Sequence, residues 1–337
     1  MYTSNIYLLK SKSLSMVSFL TILFCTHYST HTFADNTLAK PTLGDHGLSN
    51  CRFNYGQDWL GTEHTYPDNL NYIRTWLGTS NDLDNTQRSM FKSLKKGGIL
   101  EGRTPMVIDY LIAFTARANA DLQDCDVADS EGRSTSLCTH GTQFIRENKQ
   151  LLLDKHRRLA KQIANAWGTS EPILWMTEPD YFQYAVDEDS QIGGGFSYSE
   201  AGQHLRDFLN VVKEELPNVV FALDTAPWLR ERAARWFKAM PLDMVSYLSL
   251  FGKPTALIQN GSWSNSWQEF HQLTGLPILS EGWEYNDPDN WHNSDNINRL
   301  IGWGVISESF RVPPVEWGDI IANNAPKLVK SPTCSQN

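Results

Sequence analysis

Pro172-Ile173-Leu174-Trp175-Met176-Thr177-Glu178-Pro179-Asp180 and Leu276-Pro277-Ile278-Leu279-Ser280-Glu281-Gly282-Trp283 are two short apolar runs, each with a proline at its start and a glutamate at its close. Runs of this length between turn signals read as strands buried on both faces. Burying a carboxylate without a partner is costly. Glutamates at the exits of such strands therefore point to chemistry rather than to packing.

Outward from these two runs, strand-like and helix-like segments alternate. Leu70–Trp76 and Met106–Phe114 read as strands, with a helix over Thr86–Lys96 between them. A helix over Gln143–Trp167 carries Ile145, Leu152, Leu159 and Ile163 on one stripe. After the strand ending at Glu178, Ser197 with Glu200 forms a capping box, and Ala201, Leu205, Phe208, Leu209, Val212 and Leu216 keep a helical period until Pro217. Strands follow over Val219–Asp224, Met244–Leu250 and Val305–Phe310, besides the one ending at Glu281. Helices are expected over Leu229–Met240, Trp267–Leu273, Ser294–Trp303 and Val315–Ala325. With a further strand near Arg52–Trp59, the count reaches eight. Alternation of this kind implies right-handed crossovers and a parallel sheet, hence the α/β class and a single-domain (β/α)8 TIM barrel. An open doubly wound sheet is the competing arrangement. No G-x-G-x-x-G follows an early strand, so nothing suggests a dinucleotide site, and Gly193-Gly194-Gly195 reads as a loop.

Residues 1–34 read as a signal peptide. Lys10 and Lys12 precede the apolar stretch Leu14–Cys25, too short to span a bilayer, and Thr32-Phe33-Ala34 supplies a small-x-small cleavage pattern. Cleavage leaves 337 − 34 = 303 residues: a polar lead over 35–50 and the barrel over 51–337. The expected location is secreted or periplasmic, with no membrane association after cleavage. The net charge of −9 and the lack of a basic stripe argue against a nucleic-acid partner. Twelve tryptophans suit either a sugar-binding surface or a large core, and composition alone does not choose. Cys51, Cys125, Cys138 and Cys334 remain after cleavage, an even number that suits disulfides in an exported chain. Three pairings are possible; the favoured one has Cys125–Cys138 stapling the loop between them and Cys51–Cys334 tying the two ends of the domain. A zinc site on Cys125, Cys138 and His140 is the rival, on an irregular spacing.

With eight strands, Glu178 ends the fourth and Glu281 the seventh, on the C-terminal face where barrels carry their chemistry. Here the chain resembles the clan of retaining glycoside hydrolases with a (β/α)8 barrel, which includes many cellulases, mannanases and β-glucanases. The resemblance implies Glu178, in Trp-Met-Thr-Glu-Pro-Asp, as acid/base and Glu281, in Leu-Ser-Glu-Gly-Trp, as nucleophile. It also implies that Arg74, in Tyr-Ile-Arg-Thr-Trp-Leu-Gly, lies near the nucleophile and that Tyr247 on the sixth strand contacts it. The chain departs from the clan in having Thr177 where asparagine usually precedes the acid/base, and in lacking tryptophan at the end of strand eight. The physics suits the roles. Retention needs one carboxyl protonated and one ionised; Arg74 favours the anion of Glu281, and Trp175, Met176 and Pro179 give Glu178 a drier setting.

Asp109 and Asp224 also end strands and are expected to contact sugar hydroxyls or hold Arg74. Trp76, Trp228, Trp283 and Trp291 follow strands on the same face and are candidate stacking platforms; Trp263 and Trp267 flank a polar loop that would extend the groove. Trp236 and Trp317 read as core. Each has a plainer reading: Glu178, Glu281 and Glu308 as structural carboxylates, Asp180 as a turn cap or alternative acid, and Asp187, Glu188 and Asp189 as solvated rather than calcium ligands. The expected activity is endo-acting, retaining hydrolysis of a β-linked polysaccharide, or an oligosaccharide of it, by a monomer needing no cofactor and no metal. A non-catalytic carbohydrate-binding barrel, or a lyase using Tyr247 or His292 as base, are the alternatives.

Overall fold

The computed structural model describes residues 47–125, 136–186, 194–251, 265–282, 293–332 and Cys334. The signal-peptide expectation lies outside the described residues. Eight strands form the core of the fold: β1 (Asn54–Asp58), β2 (Tyr72–Leu77), β3 (Thr104–Asp109), β4 (Ile173–Met176), β5 (Val219–Asp224), β6 (Val245–Phe251), β7 (Ile278–Gly282) and β8 (Val305–Phe310). All pair in parallel, in chain order, and β1 closes on β8. The expected barrel is the one observed, including the strand near Arg52–Trp59. Val219–Asp224 and Val305–Phe310 match the sequence reading at both ends.

Ten α-helices appear among the described residues: α1 (Asn85–Leu94), α2 (Leu111–Ala120), α3 (Leu137–Glu147), α4 (Lys149–Ala166), α5 (Tyr181–Ala185), α6 (Tyr198–Glu215), α7 (Ala233–Ala239), α8 (Trp267–Thr274), α9 (Ser294–Gly302) and α10 (Trp317–Asn324). Ser197 caps α6 by accepting from the Glu200 amide, and Ser266 caps α8 from the Glu269 amide. Three expectations are corrected. The run Met106–Phe114 is not one strand: β3 stops at Asp109 and α2 begins at Leu111, because apolar composition alone does not separate a buried strand from a buried helix. The single helix expected over Gln143–Trp167 is two, broken at Asn148. Leu229–Met240 opens as a 3-10 turn over Arg230–Arg232 before α7.

Side chains divide by the two-residue period of strands. An inner cluster fills the barrel, with Tyr72, Met106, Ile108, Leu174, Met176 and Leu279 among its members. An outer cluster of helix-facing residues, including Ile73, Val107, Trp175 and Phe221, packs the strands against the helices. Leu48 joins the inner cluster, and its carbonyl accepts the Tyr247 hydroxyl at 2.9 Å, which closes the N-terminal end of the lumen. Gly56 is required on β1, since a Cβ there would lie 2.3 Å from the Tyr72 ring. A β-bulge between β7 and β8 sets Val305 opposite Ile278 but Ser307 opposite Leu279. Beyond it Ser307 and Ser309 bond to inner residues, while Phe310 packs on Trp317 of α10.

Both disulfides form as paired from the sequence, Cys51–Cys334 and Cys125–Cys138. The thiols are thereby consumed, which removes the zinc alternative. Among the described residues no helix is long and apolar enough to cross a membrane. Cys51–Cys334 closes a loop of 283 residues and Cys125–Cys138 one of 13; loop-closure entropy gives about 6 and about 3 kcal/mol respectively. Cys51→Ala/Cys334→Ala should therefore lower the thermal midpoint by roughly 10 °C or more, and Cys125→Ala/Cys138→Ala by less. Calorimetry of the two double variants checks this order, which a larger loss from the short loop would reverse.

Candidate active site

The two-residue period that puts Tyr72 in the lumen also puts Arg74 and Trp76 there, one above the other along β2. On β7 it points Glu281 inward above Leu279, and on β8 the bulge points Ser309 inward. Arg74 is 1% exposed and draws these residues together. Its Nε donates to Asp58 Oδ1 at the end of β1, its Nη1 donates to Ser309 Oγ at 2.8 Å, and Nη1 also pairs with Glu281 Oε2. Glu281 is 1% exposed as well. A guanidinium against a buried carboxylate favours the ionised form, and removing it would leave an uncompensated buried charge at a cost of roughly 3–5 kcal/mol. Burial pushes the Asp58 carboxyl above its ordinary range, although Arg74 and the Trp76 indole pull it down. Asp58 was not singled out in the sequence; the signal that could have found it is the same one that found the glutamates, a carboxylate at a strand exit.

Glu178 stands at the exit of β4 and is 4% exposed. Its Oε2 accepts from the Ile112 amide and its Oε1 from the Ala113 amide, both at 2.9 Å, so the carboxyl caps the first turn of α2. Burial, and then the charge of Asp109, hold Glu178 protonated well above the ordinary carboxylate range, against the pull of the two amides. Glu178 and Glu281 share no bonding partner among the described residues. One carboxyl is held by a cation in the lumen, the other by a helix terminus at the rim. Thr177, in the place where the clan usually has asparagine, gives its amide to the Ala222 carbonyl and accepts the Asp224 amide on Oγ1, each at 2.9 Å, and so ties the exit of β4 to β5. Burial and the charge of Asp180 raise the Asp224 carboxyl well above its ordinary range, while the Asp180 amide donates to it.

Several expectations are corrected by these contacts. Asp109 neither holds Arg74 nor faces the lumen; it accepts from His156 Nε2 at 2.8 Å, from Trp175 Nε1 at 3.1 Å and from the Leu111 amide at 3.1 Å. Asp224 is likewise not a partner of Arg74. Tyr247 does not contact Glu281, because its hydroxyl is committed to Leu48 at the opposite end of the barrel; this also removes it as a lyase base. Trp228 packs against the outer cluster, and Trp267 is fully buried at the start of α8. Trp236 and Trp317 are core as expected. Trp76 does reach the mouth of the barrel, edge-on to Tyr110 with centroids 5.5 Å apart. Trp263, Trp283, Trp291, His292 and the acids Asp187, Glu188 and Asp189 lie outside the described residues. Among those described, no group of His, Cys, Asp and Glu is arranged to hold a metal ion.

No family model and no curated protein matches the chain. Among solved structures, a GH26 β-mannanase from Bacteroides ovatus is similar at 11% identity, with a TM-score of 0.53 over 85% of this chain and 93% of that one. A β-1,4-mannanase from the sea hare Aplysia kurodai gives 12% identity and a TM-score of 0.48 over 84% and 95%. An Old Yellow Enzyme from Pichia gives 11% identity and 0.46 over 81% and 83%. At these identities the likeness is one of fold.

Glu308 is turned outward by the bulge, away from Arg74, and is 0% exposed beside Ser280 and Tyr55 with no hydrogen-bond partner among the described residues. Burial holds its carboxyl well above the ordinary range. A folded-state value above the unfolded one means that the folded chain keeps a proton the unfolded chain releases. Stability is then full below the ordinary glutamate value, about 4.3, and is lost as pH rises toward the folded value. Glu308→Gln should raise the thermal midpoint near pH 8 by several degrees (roughly 2–4 °C per kcal/mol for a domain this large) and leave that near pH 4 little changed. Parallel pH profiles for the two proteins would contradict this.

Proposed function

We propose that the protein is a glycoside hydrolase that cleaves a β-linked polysaccharide with net retention, with Glu281 as nucleophile and Glu178 as acid/base. The observation that carries this reading is the division of labour between two carboxyls at one rim of the barrel. Arg74 favours the anion of Glu281, whereas burial and Asp109 favour the proton on Glu178. Carboxyls whose surroundings drive their proton affinities apart are the equipment of a double displacement.

In the first step an Oε of Glu281 attacks the anomeric carbon. Glu178 gives its proton to the departing glycosidic oxygen, and a glycosyl ester forms on Glu281. Arg74 then loses one of its two carboxylate partners to the ester and keeps Asp58, so the guanidinium remains paired. In the second step Glu178, now ionised, takes a proton from water as the water attacks the same carbon, and Glu281 leaves as the carboxylate. The amides of Ile112 and Ala113 serve Glu178 in both steps. They occupy one lone pair on each oxygen, leave the O–H of the acid form free, and stabilise the anion that follows. Trp76, at the top of the lumenal face of β2, offers a flat apolar surface for a sugar ring. Export through the N-terminal 34 residues is part of the same proposal, as polymeric substrates lie outside the cell; the two disulfides suit it.

A second reading, a carbohydrate-binding protein without hydrolysis, is favoured by one observation: both oxygens of Glu178 are already engaged by α2. The two readings separate on activity. A screen of β-glucans, mannans and xylans should give reducing ends, with Glu281→Gln and Glu178→Gln each reducing turnover by at least about 10³-fold while circular dichroism stays unchanged. An activated aryl glycoside, which needs little acid help, should recover much of the loss in Glu178→Gln but none in Glu281→Gln. Polymer binding with no reducing ends released, or near-normal turnover by either variant, would overturn the hydrolytic reading.

A further inference from the structure

Asp109 and Glu178 come from different strands yet cap the same helix. Asp109 takes the amide of Leu111, and Glu178 takes the next two, of Ile112 and Ala113. Two carboxyls thus share one turn of α2, both nearly sealed from water, at 3% and 4% exposure. A helix N-terminus carries only about half a positive charge, too little for two anions.

The missing charge comes from α4. His156 is 3% exposed, and both of its ring nitrogens face acceptors: Nδ1 lies 2.7 Å from the Leu152 carbonyl and Nε2 lies 2.8 Å from Asp109 Oδ2. A ring between two acceptors satisfies both only when it carries both protons. Burial alone would lower the affinity of His156 for its second proton, but the Asp109 charge and the bonds to Asp109 and Leu152 outweigh it and raise it. Phe208 of α6 stacks on the ring with centroids 4.9 Å apart, and the Trp175 ring lies 6.4 Å away. His156 and Asp109 therefore form a buried ion pair, with Asp109 also bonded by the Trp175 indole. Glu178 is left as the second acid on a helix end already occupied by an anion.

We propose that the Asp109–His156 pair is the positioning device that sets how firmly Glu178 holds its proton, Asp109 tightening the hold and His156 moderating it. Asp109 acts by repulsion: like charges on one turn exclude a second anion, so Glu178 stays protonated until substrate accepts its proton. His156 acts by fixing Asp109 against the turn and by offsetting part of its charge. Among the described residues, the other groups facing Glu178 offer no rival cation. Asp124, bonded by the hydroxyls of Tyr110 and of Tyr184 on α5, adds to the repulsion, and α6 presents the apolar Leu205, Phe208, Leu209 and Val212. Lys155 of α4 is bonded to Thr115 of α2. The catalytic consequence, an alkaline limit of activity set by Asp109, rests on Glu178 being the acid.

Two substitutions test this in opposite directions. Asp109→Asn removes the repelling charge, and Glu178 should release its proton at lower pH. His156→Gln keeps a donor to Asp109 but removes the compensating charge, and Glu178 should hold its proton to higher pH. The direct readout is the protonated-carboxyl stretch in the infrared spectrum of the substrate-free protein, assigned by its loss in Glu178→Gln and followed against pH. The second readout is kcat/KM, whose ratio between about pH 8 and pH 5 should fall roughly tenfold in Asp109→Asn and rise in His156→Gln. A variant that merely unfolds moves neither titration in a signed way. A Glu178 band missing at neutral pH, or titrations that stay put or shift together, would overturn the proposal. Infrared titrations that move as expected in a protein that hydrolyses nothing would support the proton placement and overturn the hydrolase reading alone.

Discussion

One arginine organises the upper lumen. Arg74 is the second of three inward residues on β2, and its guanidinium ties β1, β7 and β8 together through Asp58, Glu281 and Ser309. The strands it links are the two that close the barrel and their neighbours, so this polar cluster and the closure of the sheet are mutually dependent. Below it the lumen is apolar and ends at Leu48 and Tyr247. Among the described residues, the inward face of the strands turns from apolar to charged at the C-terminal rim, the end on which barrels carry their chemistry.

The two glutamates that mark the strand exits have reached opposite electrostatic solutions. Glu281 is buried with a cation, whereas Glu178 is buried with amides and a neighbouring anion. A buried carboxyl is ionised when a full positive charge is within bonding distance and protonated when only dipoles are. That difference arises from sequence positions far apart: Arg74 for one, Asp109 and His156 for the other. It shows how a barrel assigns distinct roles to one residue type through the strand and helix that each copy happens to face.

Much of this was legible in the sequence. The eight strands, the cap at Ser197, the disulfide pairs and the meeting of Arg74 with Glu281 follow from apolar runs, spacing, cysteine number and the stated resemblance. What stayed hidden has physical reasons. The boundary at Tyr110 is invisible because Leu111-Ile112-Ala113-Phe114 continues the apolarity of β3 into α2. The outward face of Asp109 depends on counting the period from Met106 and Ile108, and its pairing with His156 needs the packing of α4, which no local pattern encodes. Glu308 looks like Glu281 in sequence, yet a one-residue bulge in β8 sends it to the other side of the sheet. Tyr247 was misplaced along the barrel axis rather than across it, since strand membership does not fix height.

The central claim is that Glu281, held ionised by Arg74, becomes covalently attached to sugar. Incubation with a set of activated 2-deoxy-2-fluoro β-glycosides, followed by intact-mass and peptide mass spectrometry, measures this directly. The account requires a single glycosyl adduct on the peptide that contains Glu281, absent in Glu281→Gln. An adduct on a different carboxyl, or hydrolysis that inverts the anomeric centre and leaves no adduct, would contradict it.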